Sequence, residues 1–167
     1  SGGNGASASL IFSSLGTVGK GSGVNFSTIG GAGGTVTITS LATTTATTLP
    51  GNGHLYIDGS NFARSSGGLL VAPVYGTDAG CGTSATALTA GNNNEITGSF
   101  TSGAVSVTSL KISGSQVLQL SGTLTVNTGG AANDGGILQT GGSATIQSDS
   151  ATARSITTGG AGAIVIR

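Results

Sequence analysis

A chain of 167 residues, 36% of them hydrophobic, is long enough to bury a core, which excludes a charged, disordered tail. Only 6% of residues are charged and the formal net charge is zero, so there is no cluster of Lys and Arg for nucleic acid. The sequence has no long unbroken apolar run and no basic-then-apolar leading segment, so neither a membrane span nor a signal peptide is expected within it. With 33 Gly, 2 Pro and no Trp, and with Ser and Thr filling the polar positions, the composition suits turns and thin strands better than helices. The absence of Met in a chain that starts at Ser1 leads us to expect a processed product or a piece of something longer.

Residues 1–34 set Leu10, Ile11, Phe12, Val24 and Phe26 among Gly-rich turns and read as irregular opening coils. Within them GTVGKGSG, Gly16 to Gly23, has phosphate-loop flavour but lacks the Lys-Ser/Thr pair and a following helix, so it reads as a turn. Asn25-Phe26-Ser27 is a glycosylation sequon, relevant only in a host that uses it. Thr35 to Thr39 reads TVTIT, a strand with Val36 and Ile38 on one face and Thr on the other. Leu55 and Ile57 follow Val36 and Ile38 at a step of about 20 residues, across LATTTATTLPGNG, where extended chain ends at Pro50 and a Gly-Asn-Gly turn.

From Gly59 to about Gly98 the period is lost, and the region reads as an excursion beside a retained coil at GLLVAPVY, which is too apolar to lie in solvent. From 99 to 167 a regular pattern returns. Val105/Val107, Leu124/Val126, Ala144/Ile146 and Ile164/Ile166 recur at a near-constant step, and a second track runs through Leu118/Leu120, Ile137/Leu138 and Ile156. A unit of about 20 residues made of short strands cannot bury its own apolar face and must stack on copies of itself. The expected fold is therefore an all-β, right-handed parallel β-helix (β-solenoid) of roughly eight coils, about 40 Å long, with an irregular excursion around 59–98. Residues 1–167 are read as one such segment, stacked end to end on identical copies or flanking repeats.

Acid and base chemistry needs converging ionisable groups. Asp58, Glu95, Asp134, Asp149 and His54 are the candidates and lie far apart in sequence; Asp134 and Asp149 sit in turn contexts where Asp bonds its own backbone. His54 and Asp58 share a strand face but would stand roughly 13 Å apart. No catalytic residue, metal or cofactor is expected; GGAGG and ANDGG do not supply the Gly-Gly-x-Gly-x-Asp register of calcium-binding β-rolls. Cys81, the one cysteine, reads as an inert buried thiol rather than an intermolecular bridge.

The stretch SVTSLKISGSQVLQLSGTLTVNTGGAANDGGILQTGGSATI resembles the repeats of bacterial autotransporter-associated β-strand proteins, very long surface or secreted chains of planctomycete-type bacteria. GSGVNFSTIGGAGGTVTITSLA and LPGNGHLYIDGSNFARSSGGLLVAPVY resemble the family's earlier phrases, and Phe62-Ala63 and Gly135-Gly136-Ile137-Leu138 are the specific anchors. The resemblance implies a right-handed parallel β-helix exposed outside the cell, and brings no catalytic residues. The expected function is an extracellular, non-enzymatic structural module of a stalk, fibre or matrix, adhesive ones included. The competing expectation is a β-helix that binds or degrades carbohydrate, with Asp58, Phe62, Arg64 and Tyr75 as the contact residues, because an acid, two aromatics and a cation fall close together there.

Overall fold

The computed structural model describes residues 9–14, 23–27, 34–41, 55–126, 135–158 and 164–167. His54, Asp134, GTVGKGSG up to Ser22 and the Pro50 turn lie outside them. The described chain is all-β apart from one short 3-10 turn, Thr39–Leu41. Its strands are short and mostly parallel, as expected where Gly and Asn turns interrupt runs of Val, Ile, Leu and Thr every few residues.

The first part contains β1 (Ser9–Phe12), β2 (Val24–Phe26), β3 (Thr35–Ile38), β4 (Leu55–Ile57), β5 (Asn61–Phe62), β6 (Arg64–Ser66) and β7 (Leu69–Val71). β1 lies parallel to β3, with Leu10 beside Val36 and Phe12 beside Ile38. β2 lies parallel to β4, with Val24 beside Leu55 and Phe26 beside Ile57. After β4 the direction changes: β4 with β5, β6 with β7, and β3 with β7 are antiparallel pairs. The reversal between β6 and β7 is a two-residue turn in which Gly67 and Gly68 have φ of 59° and 90°. Positive φ at both central positions matches the right-handed twist of a hairpin and is costly for any residue with a Cβ.

The second part contains β8 (Cys81–Ser84), β9 (Asn93–Ile96), β10 (Phe100–Ser102), β11 (Val105–Val107), β12 (Ser109–Ser113), β13 (Val117–Leu120), β14 (Leu124–Val126), β15 (Gly135–Thr140), β16 (Thr145–Ser148), β17 (Ile156–Thr158) and β18 (Ile164–Ile166). Among the described residues they form three wholly parallel sheets, ordered β18-β15-β12-β9-β8, β10-β13-β16 and β11-β14-β17. From β9 onward the chain visits these sheets in rotation. Alternation along each strand turns Leu110 and Ile112, Leu118 and Leu120, and Leu124 and Val126 into a common core, where they are at most 3% exposed. Glycine is needed where one layer's turn rides on the next: a Cβ on Gly122 would collide with the backbone of Ala104. Gly122→Ala should therefore lower stability by about 1–3 kcal/mol in urea unfolding. Gly103→Ala, where a Cβ meets nothing within 4 Å, should have little effect, and equal losses would place the contact elsewhere.

The expected single right-handed parallel β-helix (β-solenoid) of roughly eight coils is thus replaced, among the described residues, by five separate sheets, two of them containing antiparallel pairs. Nor do residues 59–98 leave the stack as a block, because β8 and β9 belong to the five-stranded parallel sheet. The constant period fails for a physical reason: connections differ in length from layer to layer. Across the five-stranded sheet Cys81 pairs with Asn93, Asn93 with Ser109, Ser109 with Gly136 and Gly135 with Ile164, so the step along the sequence more than doubles from the first pair to the last. Val105 and Val107 do pair with Leu124 and Val126, the step read from the sequence. The later members of that track do not follow. Ile146 sits beside Leu118, and the neighbour of Leu124 is Ile156. Ile166 pairs with Ile137 and is 72% exposed rather than interior.

Candidate functional site

Arg64, Asp78, Glu95, Lys111 and Arg167 meet Tyr56, Phe62 and Tyr75 along one seam, where residues 56–78 cover the outer face of the sheet containing β9, β12 and β15. On β12 the alternation that sends Leu110 and Ile112 into the core sends Ser109 and Lys111 outward, yet these are only 0% and 9% exposed because the first part lies over them. Tyr56 and Phe62 stack with ring centroids 5.5 Å apart and close on Leu138 of β15. The Arg167 guanidinium stands 5.1 Å from the Tyr56 ring centre.

Parallel register places Lys111 beside Glu95, and their side chains form an ion pair of 2.9 Å. Lys111 Nζ also donates to Asn61 Oδ1 at 2.6 Å and lies 5.4 Å from the centre of the Tyr75 ring. Ser113 Oγ donates to Glu95 Oε1 at 2.7 Å. At the next station Arg64 Nε lies 2.8 Å from Asp78 Oδ2. That pairing is Coulombic rather than a directed hydrogen bond: Arg64 Nε and Nη1 are buried without a hydrogen-bond acceptor, while Asp78 Oδ2 accepts the Val74 amide at 2.6 Å. The hydroxyls of Tyr56 and Tyr75 are likewise buried without hydrogen-bond partners among the described residues, and burial pushes both phenols above their usual range. The fully buried Asn94 accepts from Ser84 Oγ and the Thr89 amide and donates to the Thr89 and Asn92 carbonyls, which staples residues 89–92 to β9.

Cys81 belongs to the same seam. Burial, and secondarily the Asp78 carboxylate, raise its thiol pKa against the smaller opposing effects of Asn93 and Arg64. A raised pKa means less thiolate, the reactive form. The folded protein should therefore react slowly with an aromatic disulfide reagent at pH 8 and rapidly once unfolded in guanidinium. Equal rates in both conditions would mean that the thiol is open.

The contact residues expected from the sequence do not share an open surface. Phe62 is 0% exposed under Tyr56 and Leu138, Arg64 is tied to Asp78, and Tyr75 is capped by Lys111. Asp58 lies in an exposed turn with φ of 52°, its amide donating to the Phe26 carbonyl. Asp149 pairs with Arg154 at 3.3 Å on the surface. Sequence reasoning missed Asp78, Asn61 and Lys111. Lys111 had a legible signal: it is a cation at an outward strand position otherwise filled by Ser and Thr, within one strand-to-strand step of Glu95. Chemically, the seam neutralises its own charges and serves as a joint between two parts of the chain.

Elsewhere, Ser99, Phe100, Thr101, Val117 and Gln119 line a shallow open groove of about 200 Å³. Thr101 Oγ1 donates to Gln119 Oε1 there at 3.0 Å, and Ser99 Oγ accepts the Val117 amide at 2.8 Å. Among the described residues, no group of three His, Cys, Asp or Glu is placed to hold a metal, and no helix is long and apolar enough to cross a membrane. No protein-family model, curated protein or solved structure matches this chain.

Proposed function

We propose that the chain is a non-enzymatic, extracellular structural module that works in arrays with like modules, building a stalk, fibre or matrix that includes adhesive surfaces. One observation carries this reading. Strand after strand is stacked in register, with apolar columns such as Phe100-Leu118-Ile146 inside and neutral Thr101-Gln119-Gln147 and Ser106-Thr125-Thr157 ladders outside. Such layering extends by adding strands and gains stability with each layer. Support for a surface or secreted location comes from the resemblance of most of Gly21 to Ile146 to autotransporter-associated β-strand repeats. Incubation with neutral and acidic polysaccharides should release no new reducing ends; steady release of oligosaccharides would overturn the reading.

The groove at Thr101 and Gln119 favours a second reading, recognition of an uncharged saccharide, because its lining offers hydroxyls, an amide and apolar surface without charge. Retention on a neutral polysaccharide column that Gln119→Ala abolishes would support that reading over the first.

A further inference from the structure

The joint between the two parts of the chain brings an amine, a carboxamide and a carboxylate together where little water reaches. Lys111 on β12 is 9% exposed, and its Nζ stands 2.6 Å from Asn61 Oδ1 on β5 and 2.9 Å from Glu95 Oε1 on β9. The Tyr75 ring lies against the same nitrogen, its centre 5.4 Å away. Parallel register fixes Glu95 beside Lys111, and Ser113 Oγ holds Glu95 Oε1 at 2.7 Å. Two acyl groups thus face one amine. The neutral carboxamide is the electrophile of the two, since an ionised carboxylate repels a nucleophile and serves instead as the acceptor of its proton.

The geometry points to a self-formed covalent cross-link, an isopeptide bond between Lys111 Nζ and Asn61 Cγ. With a carbonyl bond of ~1.23 Å, the 2.6 Å contact leaves Cγ less than about 4 Å from the nitrogen, next to the ~3–3.5 Å of a near-attack pair. Rotation about the last side-chain torsion of Asn61, which is soft, turns the carbonyl face toward Nζ. Glu95 takes one proton from the ammonium and frees its lone pair. The Nζ–Cγ bond forms, a second Nζ proton passes to Nδ2, the Cγ–Nδ2 bond breaks, and ammonia leaves with that electron pair. Glu95 keeps the first proton, so neither ion of the former pair is left unmatched. The balance requires no oxidant, reductant or co-reactant. Nδ2 lies 3.5 Å from the hydroxyl of the exposed Ser60, which gives the ammonia a way out. The bond joins residues 50 apart in sequence and turns an electrostatic joint into a covalent one.

Intact-mass measurement of the purified, folded full chain tests this, followed by tryptic digestion after unfolding. The parent should be one ammonia lighter than its sequence. Trypsin should fail to cut after Lys111, and the fragment ending at Arg64 should stay attached to fragment 65–154 as a branched product. Asn61→Ala and Glu95→Gln should both lack the branched product and be cut after Lys111. Glu95→Gln retains an acceptor for Ser113 and the volume of the side chain, so it separates loss of proton transfer from loss of fold. A parent at full sequence mass overturns the inference. So does a missing ammonia that Asn61→Ala still lacks, a missing water, which would place the bond on Glu95, or a branched product that forms as fully in Glu95→Gln as in the parent.

Discussion

Val126→Asp is expected to cost several kcal/mol, enough to leave much of the chain unfolded at ordinary temperature. Val126 is fully buried, paired with Val107 on one side and Thr158 on the other, in a cluster of aliphatic side chains. A carboxylate there has no partner, and loss of the valine's packing adds to its desolvation. The pH dependence follows from the same cause. Burial would raise the new carboxyl above the usual value of about 3.9. Below that value it is protonated in both states and the charge penalty vanishes; as pH rises the unfolded chain ionises first and the deficit grows. Thr125→Asp, one position along and facing outward between Ser106 and Thr157, should change stability little. Thermal melts of the two variants at pH 3.5 and 7 check this, and a Val126→Asp melt equal to the parent's would show the inward register of β14 to be wrong.

Lys111→Ala is expected to have the next largest effect, about 3–5 kcal/mol, because it strands Glu95 in a seam where the two side chains are only 11% and 18% exposed. It also leaves Asn61 Oδ1 without its donor and removes the cation over Tyr75. Lys111→Met combined with Glu95→Gln should be far milder, since no uncompensated charge remains and the amide oxygen of the introduced glutamine still accepts from Ser113. Denaturant unfolding gives the two losses. Hydrogen exchange adds a local readout: in Lys111→Ala the amides of β4 to β7 should exchange faster, while those of β13 and β14 change less. If the double variant loses as much as the single one, the loss comes from the contacts of the Lys111 ammonium with Asn61 and Tyr75 and not from a stranded Glu95.

Legibility was uneven along the chain. The TVTIT strand and the pairing of Val105 and Val107 with Leu124 and Val126 could be read directly, because alternate residues share a face and equal-length connections preserve register. The Ile146 column could not, since the residues between Val126 and Gly135 lengthen one connection and shift every later strand relative to a fixed period. The seam was legible only in pieces. Phe62, Arg64 and Tyr75 stood out as unusual residues in a Gly, Ser and Thr background, but their nearness in sequence suggested an open contact patch. Folding turns that patch inward, against the strands that carry Glu95, Lys111 and Leu138.

By itself the sequence determined that this protein is built of short strands with apolar faces and almost no charge, because period-two alternation and frequent Gly turns are local properties of the backbone. Only the tertiary structure decided how many sheets form, which columns share a core, and that Arg64, Asp78, Glu95 and Lys111 gather in a joint. Those outcomes depend on contacts between distant parts of the chain, such as Lys111 with Asn61, where the lengths of the intervening connections set what can meet.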